Sequence, residues 1–223
     1  MELNGRRHDL LRLRPAAWPG VVEKHDTLQV VPLLRDWIAQ GRPVMRRRRL
    51  PDEAQDCIAA AIALPAGAGP RRVGFTVPAD AVLSAARPPS LSEVAHAAPA
   101  AWADTVRDLL AAGHRYGAPP RVFGSLMWQA ITGLDYLAPA SDLDLLWMPG
   151  DIRGLTALLD AIAAVAGRLA PPLDGEIEFR TGEAVHWSEL RAAIAHGTNG
   201  VIAKSLDAVR LLRFADLGMS RAA

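Results

Sequence analysis

At 223 residues, half of them apolar and 22% charged, the chain has ample length to bury a core as one large domain or two smaller ones. A formal net charge of +1 with only 5% aromatics argues against a nucleic-acid binder. A single cysteine, Cys57, excludes an internal disulfide and any cysteine-based zinc cluster, and suits a reducing compartment. No apolar run approaches the roughly 18 residues that span a bilayer, and the charged start lacks the apolar segment of a signal peptide. The expectation is a soluble cytoplasmic protein that binds neither membrane nor nucleic acid.

Leu10 to Arg14 alternates as a strand and stops at Pro15. Leu33 to Gln40 reads as a short helix ended by Gly41. Pro43 to Pro51, which contains the run Arg46 to Arg49, reads as a strand bounded by prolines, and Ile58 to Leu64 is helix or strand. A loop over Ala66 to Pro70 leads to a strand at Arg72 to Val77. Residues 1–85 are therefore expected to form a small α+β domain. The boundary is Ala86-Arg87-Pro88-Pro89-Ser90.

Beyond that boundary, Ser92 to Ala95 and Ala98 to Ala112 read as helices, the second with Trp102, Val106, Leu109 and Leu110 on one face. Pro119-Pro120 introduces a short strand, a turn at Gly124-Ser125 and a helix start. Ser141 to Trp147 is an acid-and-leucine strand. A helix follows from Asp151 to about Leu169, with Leu155, Leu158, Leu159, Ile162 and Val165 as its buried stripe. Leu173 to Phe179 and Glu183 to Trp187 form a hairpin across Thr181-Gly182, and helices are expected at Ser188 to Ala195 and Leu206 to Leu217. Residues 90–223 are thus a second domain, a mixed sheet with flanking helices, and the fold class is α+β.

Chemistry concentrates between Val122 and Trp147. On a strand, Asp142 and Asp144 share one face about 6.6 Å apart. Two ionised carboxylates at that separation repel by roughly 2.5 kcal/mol at an effective dielectric near 20, which a hard divalent cation relieves. An exposed edge strand is the bland alternative. Gly124-Ser125 at a helix start supplies backbone N–H groups that favour phosphate, although a Ser there also serves as an ordinary cap. Such sites recruit a third carboxylate, and Glu176 and Glu178 share a face of the next predicted strand. Lys204, after the turn Gly197 to Gly200, is a compact cation able to reach a phosphate, or else a solvated surface lysine. The six histidines show no ligand spacing and read as structural or exposed.

Gly-Ser on a helix start followed by Asp-x-Asp on the next strand resembles the nucleotidyltransferase superfamily. Arg6 to Leu11, Arg121 to Gln129, Ser141 to Leu146, Leu173-Asp174-Gly175-Glu176 and Ala184-Val185-His186-Trp187 further resemble one family, the malonate decarboxylase holo-acyl-carrier-protein synthases, or phosphoribosyl-dephospho-CoA transferases. The resemblance implies a nucleotidyltransferase-like second domain, and one or two Mg2+ ions, or Mn2+, held by Asp142 and Asp144. It favours Glu176 as third ligand, because Asp174-Gly175-Glu176 carries the likeness, although the superfamily often has Asp there. With the donor it implies, a triphosphoribosyl-dephospho-CoA, Gly124 and Ser125 are expected to hold the outer phosphates, and Lys204 is the further candidate cation for them. The implied acceptor is a serine of the malonate decarboxylase acyl carrier protein, an acidic partner for which the first domain and its Arg46 and Arg48 would offer a surface. The alternatives are another nucleotidyltransferase, which adenylylates a protein or small molecule, or a non-catalytic binding module.

Overall fold

The computed structural model describes residues 5–68, 72–167 and 171–217. They form the α+β fold expected, in two compact units: one reaches Pro88 and also takes in Ile131–Tyr136, and the other holds Pro89–Ala130 and the chain from Leu137 onward.

The first unit is an antiparallel sheet of five strands, β1 (Leu10–Leu13), β2 (Val44–Arg46), β3 (Cys57–Ala63), β4 (Arg72–Pro78) and β5 (Val82–Ala86), in the order β4-β3-β2-β1-β5. Short helices α1 (Trp18–Glu23) and α2 (Asp26–Gln29) follow β1. The undecided stretch Ile58 to Leu64 falls in β3, which is flanked by β2 and β4 and buries Ile58, Ala59, Ala60, Ala61 and Ile62. Small alanines suit a strand covered on both faces. The helix expected over Leu33 to Gln40 is instead a 3-10 turn at Pro32–Leu34 followed by further turns. Trp37 is fully buried there and donates its indole N–H to the Pro43 carbonyl at 2.9 Å, bending the chain into β2. The expected strand through the arginine run ends at Arg46. Arg47 ion-pairs with Glu53 and donates to the Ala60 carbonyl, and Arg49 reaches the carbonyl of Ala54 at 2.5 Å. The end of the loop at Gly69 and Pro70, like Arg71, lies outside the described residues.

In the second unit α3 (Leu91–Val94) opens on a capping box between Ser90 and Glu93. It is followed by α4 (Ala103–Arg115), β6 (Arg121–Phe123), α5 (Ser125–Thr132), β7 (Leu143–Trp147), α6 (Leu155–Ala166), β8 (Leu173–Glu178), β9 (Ala184–His186), α7 (Trp187–Ala195), β10 (Gly200–Lys204) and β11 (Val209–Arg213). The six strands make a mixed sheet, β11-β10-β9-β8-β7-β6, in which only β7 and β8 run parallel among the described strands. A parallel pair needs a crossover, and α6 provides it, burying the predicted stripe Leu155, Leu158, Leu159, Ile162 and Val165. The expected end of that helix at Leu169 lies outside the described residues. The helix expected over Leu206 to Leu217 is strand β11 and a 3-10 turn at Phe214–Leu217. Its apolar residues pair with β10, Leu212 opposite Val201 and Leu211 opposite Ile202, and the strand period wins.

Candidate active site

The site is assembled by strand register. β6 runs antiparallel to β7 with Phe123 opposite Asp144, so the chain turns at Gly124 directly beside that carboxylate. Gly124 has φ +76°, and a Cβ there would lie 1.9 Å from Asp144 Oδ2. Only glycine gives both the conformation and the room. Ser125 is the first residue of α5, and the Gly124 carbonyl accepts the helical bond from Trp128 N–H at 3.1 Å. The corner therefore presents a helix start next to an acid, as the sequence suggested.

Asp142 precedes β7 and Asp144 lies within it. In the parallel pair Asp144 stands beside Asp174 and Leu146 beside Glu176. The expected third carboxylate was Glu176, yet the residue that joins the pair is Asp174: Asp142, Asp144 and Asp174 each place an oxygen within 4.8 Å of the others. All three are partly exposed. Glu176 is one strand repeat farther along and nearly buried, with Lys204 Nζ 3.7 Å from its Oε1. Glu178, the other candidate, is a further repeat on and buried. Lys204 is the last residue of β10, the strand that follows the turn at Gly197. Gly175 lets β8 come close: a Cβ on it would be 2.4 Å from the Leu145 carbonyl oxygen.

One contributor went unrecognised in the sequence. His186, read as structural or exposed, closes β9 and places Nε2 2.8 Å from Asp174 Oδ1. The signal was available: a hairpin across Thr181-Gly182 brings the end of its second strand back beside the start of its first. A separate cavity of about 520 Å³, lined by residues including Ile152, Arg153, Phe179 and Arg180, opens beyond the other end of β7 and β8.

Three hard oxygen donors beside a helix start can neutralise a cation and hold phosphate oxygens. Comparison with known proteins gives this geometry a family. The model described as the phosphoribosyl-dephospho-CoA transferase MdcG N-terminal domain matches residues 6–88, and that of the MdcG C-terminal domain matches 90–215. The chain is 37% identical over 206 residues to a phosphoribosyl-dephospho-CoA transferase of Bradyrhizobium diazoefficiens, covering 92% of this chain and 89% of that one. It is 32% identical over 218 residues to one of Xanthomonas axonopodis, covering 97% and 98%. A third, from Xanthomonas euvesicatoria, is 34% identical over 221 residues, covering 97% and 98%. No solved structure gave a significant match. With both halves matched in order and relatives aligned along nearly their whole length, the chain belongs to the phosphoribosyl-dephospho-CoA transferase family and is a transferase.

Proposed function

We propose that the second unit transfers the phosphoribosyl-dephospho-CoA group from its 5″-triphosphate donor to a serine of an acyl carrier protein, the malonate decarboxylase subunit being the acceptor of choice. The observation that carries this reading is the convergence of Asp142, Asp144 and Asp174 beside the Gly124-Ser125 corner. The donor set fits a hard divalent ion such as Mg2+ or Mn2+, because it is all carboxylate oxygen and its charges need compensation. When bound, that ion would polarise phosphate oxygens and offset the charge that develops on them.

The chain's own residues do the rest. Asp142, Asp144 and Asp174 hold the cation, with Asp174 in the role first given to Glu176. The backbone N–H groups at the start of α5, with Gly124 leaving them open, orient the outer phosphates. Lys204, beside Glu176, lies on the same face of the sheet and supplies a compact positive charge toward the donor. The carrier serine oxygen bonds to the α-phosphorus as the bond from that phosphorus to the α–β bridging oxygen breaks. Pyrophosphate leaves, the serine proton passes to a carboxylate of the cluster and then to water, and a phosphodiester remains. Such transfer asks the protein mainly for positioning and charge compensation. In the first unit Arg46 and Arg48 offer the acidic carrier a basic surface, while Arg47 and Arg49 serve their own unit.

The test is incubation of the protein with the triphosphoribosyl donor and apo carriers of the malonate and citrate lyase systems, with and without Mg2+, read by intact mass. A cation-dependent gain of one phosphoribosyl-dephospho-CoA on the malonate carrier supports the proposal. A gain of AMP from ATP, or modification of the citrate lyase carrier alone, overturns it.

A further inference from the structure

Asp174 belongs to two groupings at once. Oδ1 accepts from the Gly175 backbone N–H at 2.6 Å and contacts His186 Nε2 at 2.8 Å, while the same carboxylate takes part in the three-aspartate group. The state of the histidine follows from its other nitrogen. His186 is the N-cap of α7, and its Nδ1 accepts from the Ser188 backbone N–H at 3.3 Å, with the Ser188 hydroxyl 2.8 Å away. A backbone N–H only donates, so Nδ1 is the acceptor and the ring hydrogen resides on Nε2, from where it is donated to Asp174. The ring is further fixed by stacking on Trp187, with centroids 6.2 Å apart and planes 26° from parallel.

We propose that His186 is a positioning residue: locked by the cap of α7, it holds Asp174 Oδ1 so that Oδ2 is presented to a divalent cation shared with Asp142 and Asp144. This rests on the cation-binding reading above. It adds a residue and a mechanism to that reading, since the helix start of α7, by fixing the imidazole, fixes the orientation of a ligand on another strand. Partners that orient a ligating group in this way typically change metal affinity 10- to 100-fold when removed. Gln is the conservative replacement, because its amide N–H reaches a similar point. Phe keeps the ring and removes the donor.

The experiment is Mn2+ titration of the full-length protein, read by the loss of the free-ion paramagnetic resonance signal, for the parent and for Asp144→Asn, His186→Phe, His186→Gln and Ser188→Ala. Circular dichroism and melting curves of each variant accompany it. The expected result is a 10- to 100-fold weaker Kd for His186→Phe, recovery to within about 3-fold of the parent for His186→Gln, and little change for Ser188→Ala, which retains its backbone donor. Parent-like Mn2+ affinity in a folded His186→Phe protein overturns the positioning role, as does His186→Gln falling as far as His186→Phe. A different failure, in which the parent binds no Mn2+ or Asp144→Asn binds it equally well, overturns the cation reading itself. If His186→Phe does not fold, the His186→Gln and Asn pair decides: Asn is too short to reach Oδ1, so equal affinity in both refutes the proposal.

Discussion

Three partly exposed carboxylates whose oxygens lie within 4.8 Å of one another make the cation-free protein pay for its site in stability. Asp142→Asn removes one charge and two of the three repulsive pairs. At 4.8 Å each pair costs about 3.5 kcal/mol at an effective dielectric of 20 and about 0.9 kcal/mol in bulk water. Side chains this exposed, 47% for Asp174, belong near the lower figure, and salt at physiological strength reduces it further. The substitution should therefore stabilise the cation-free protein by roughly 1–2 kcal/mol. For a chain of this size that is about 3–6 °C in melting temperature. Saturating cation should reverse the ranking. Ligand at 100 times its Kd adds about 2.7 kcal/mol to the parent, and the variant, short of a ligand and a charge, should gain much less. Scanning calorimetry in EDTA and then in Mn2+ reads both arms, and the curves should cross. An Asp142→Asn protein that melts below the parent in EDTA, yet gains as much from Mn2+, would refute the reasoning.

Other outcomes follow from the same geometry. Asp174→Asn should lower transfer at least 100-fold while Glu176→Gln lowers it less than 10-fold; the reverse order in kcat would return the third-ligand role to Glu176. Gly124→Ala should cost about 1–3 kcal/mol and most activity, because its Cβ meets Asp144 at φ +76°, whereas Gly117→Ala, at φ +61° with open space around it, should cost only local strain and leave kcat alone. Melting curves and rates of the two variants decide. Arg47, through its hydrogen bond and charge, holds the Glu53 carboxyl below its ordinary 4.5. A carboxyl lowered in the folded state adds stability that is full above about pH 4.5 and fades as the pH falls through the folded value. Glu53→Gln should thus destabilise at neutral pH by about 1.5–3 kcal/mol, with the deficit shrinking in denaturation curves as the pH falls below about 4.5 and through the lowered folded-state value.

What the sequence revealed was local. The Asp142/Asp144 alternation and the Gly124-Ser125 corner are each contained in a few residues, and their adjacency needs only the antiparallel pairing of β6 with β7, successive strands joined through α5. Asp174 was harder. It and Glu176 share a face, and which one meets Asp144 depends on the register of a parallel pair joined through α6, which nothing local specifies. The β11 stretch misled for a related reason: Leu206, Val209 and Leu212 recur at a helical interval, but pairing with β10 outweighs that period and buries Leu212 while leaving Val209 and Leu211 exposed. In the first unit, alanine richness hid β3, whose strand state comes from neighbours on both sides.

The parallel seam between β7 and β8 also bears on how the molecule comes into being. Its acidic residues are separated by the whole crossover, residues 148–172, so a chain emerging from the ribosome shows at first only Asp142 and Asp144. The complete trio exists only once that long loop has closed and the late strand has docked in register, a step that is slow by its topology. On the proposed reading, catalytic competence is thereby timed to the end of folding, and a fragment ending before Leu173 would carry the Asp142/Asp144 pair without its third carboxylate.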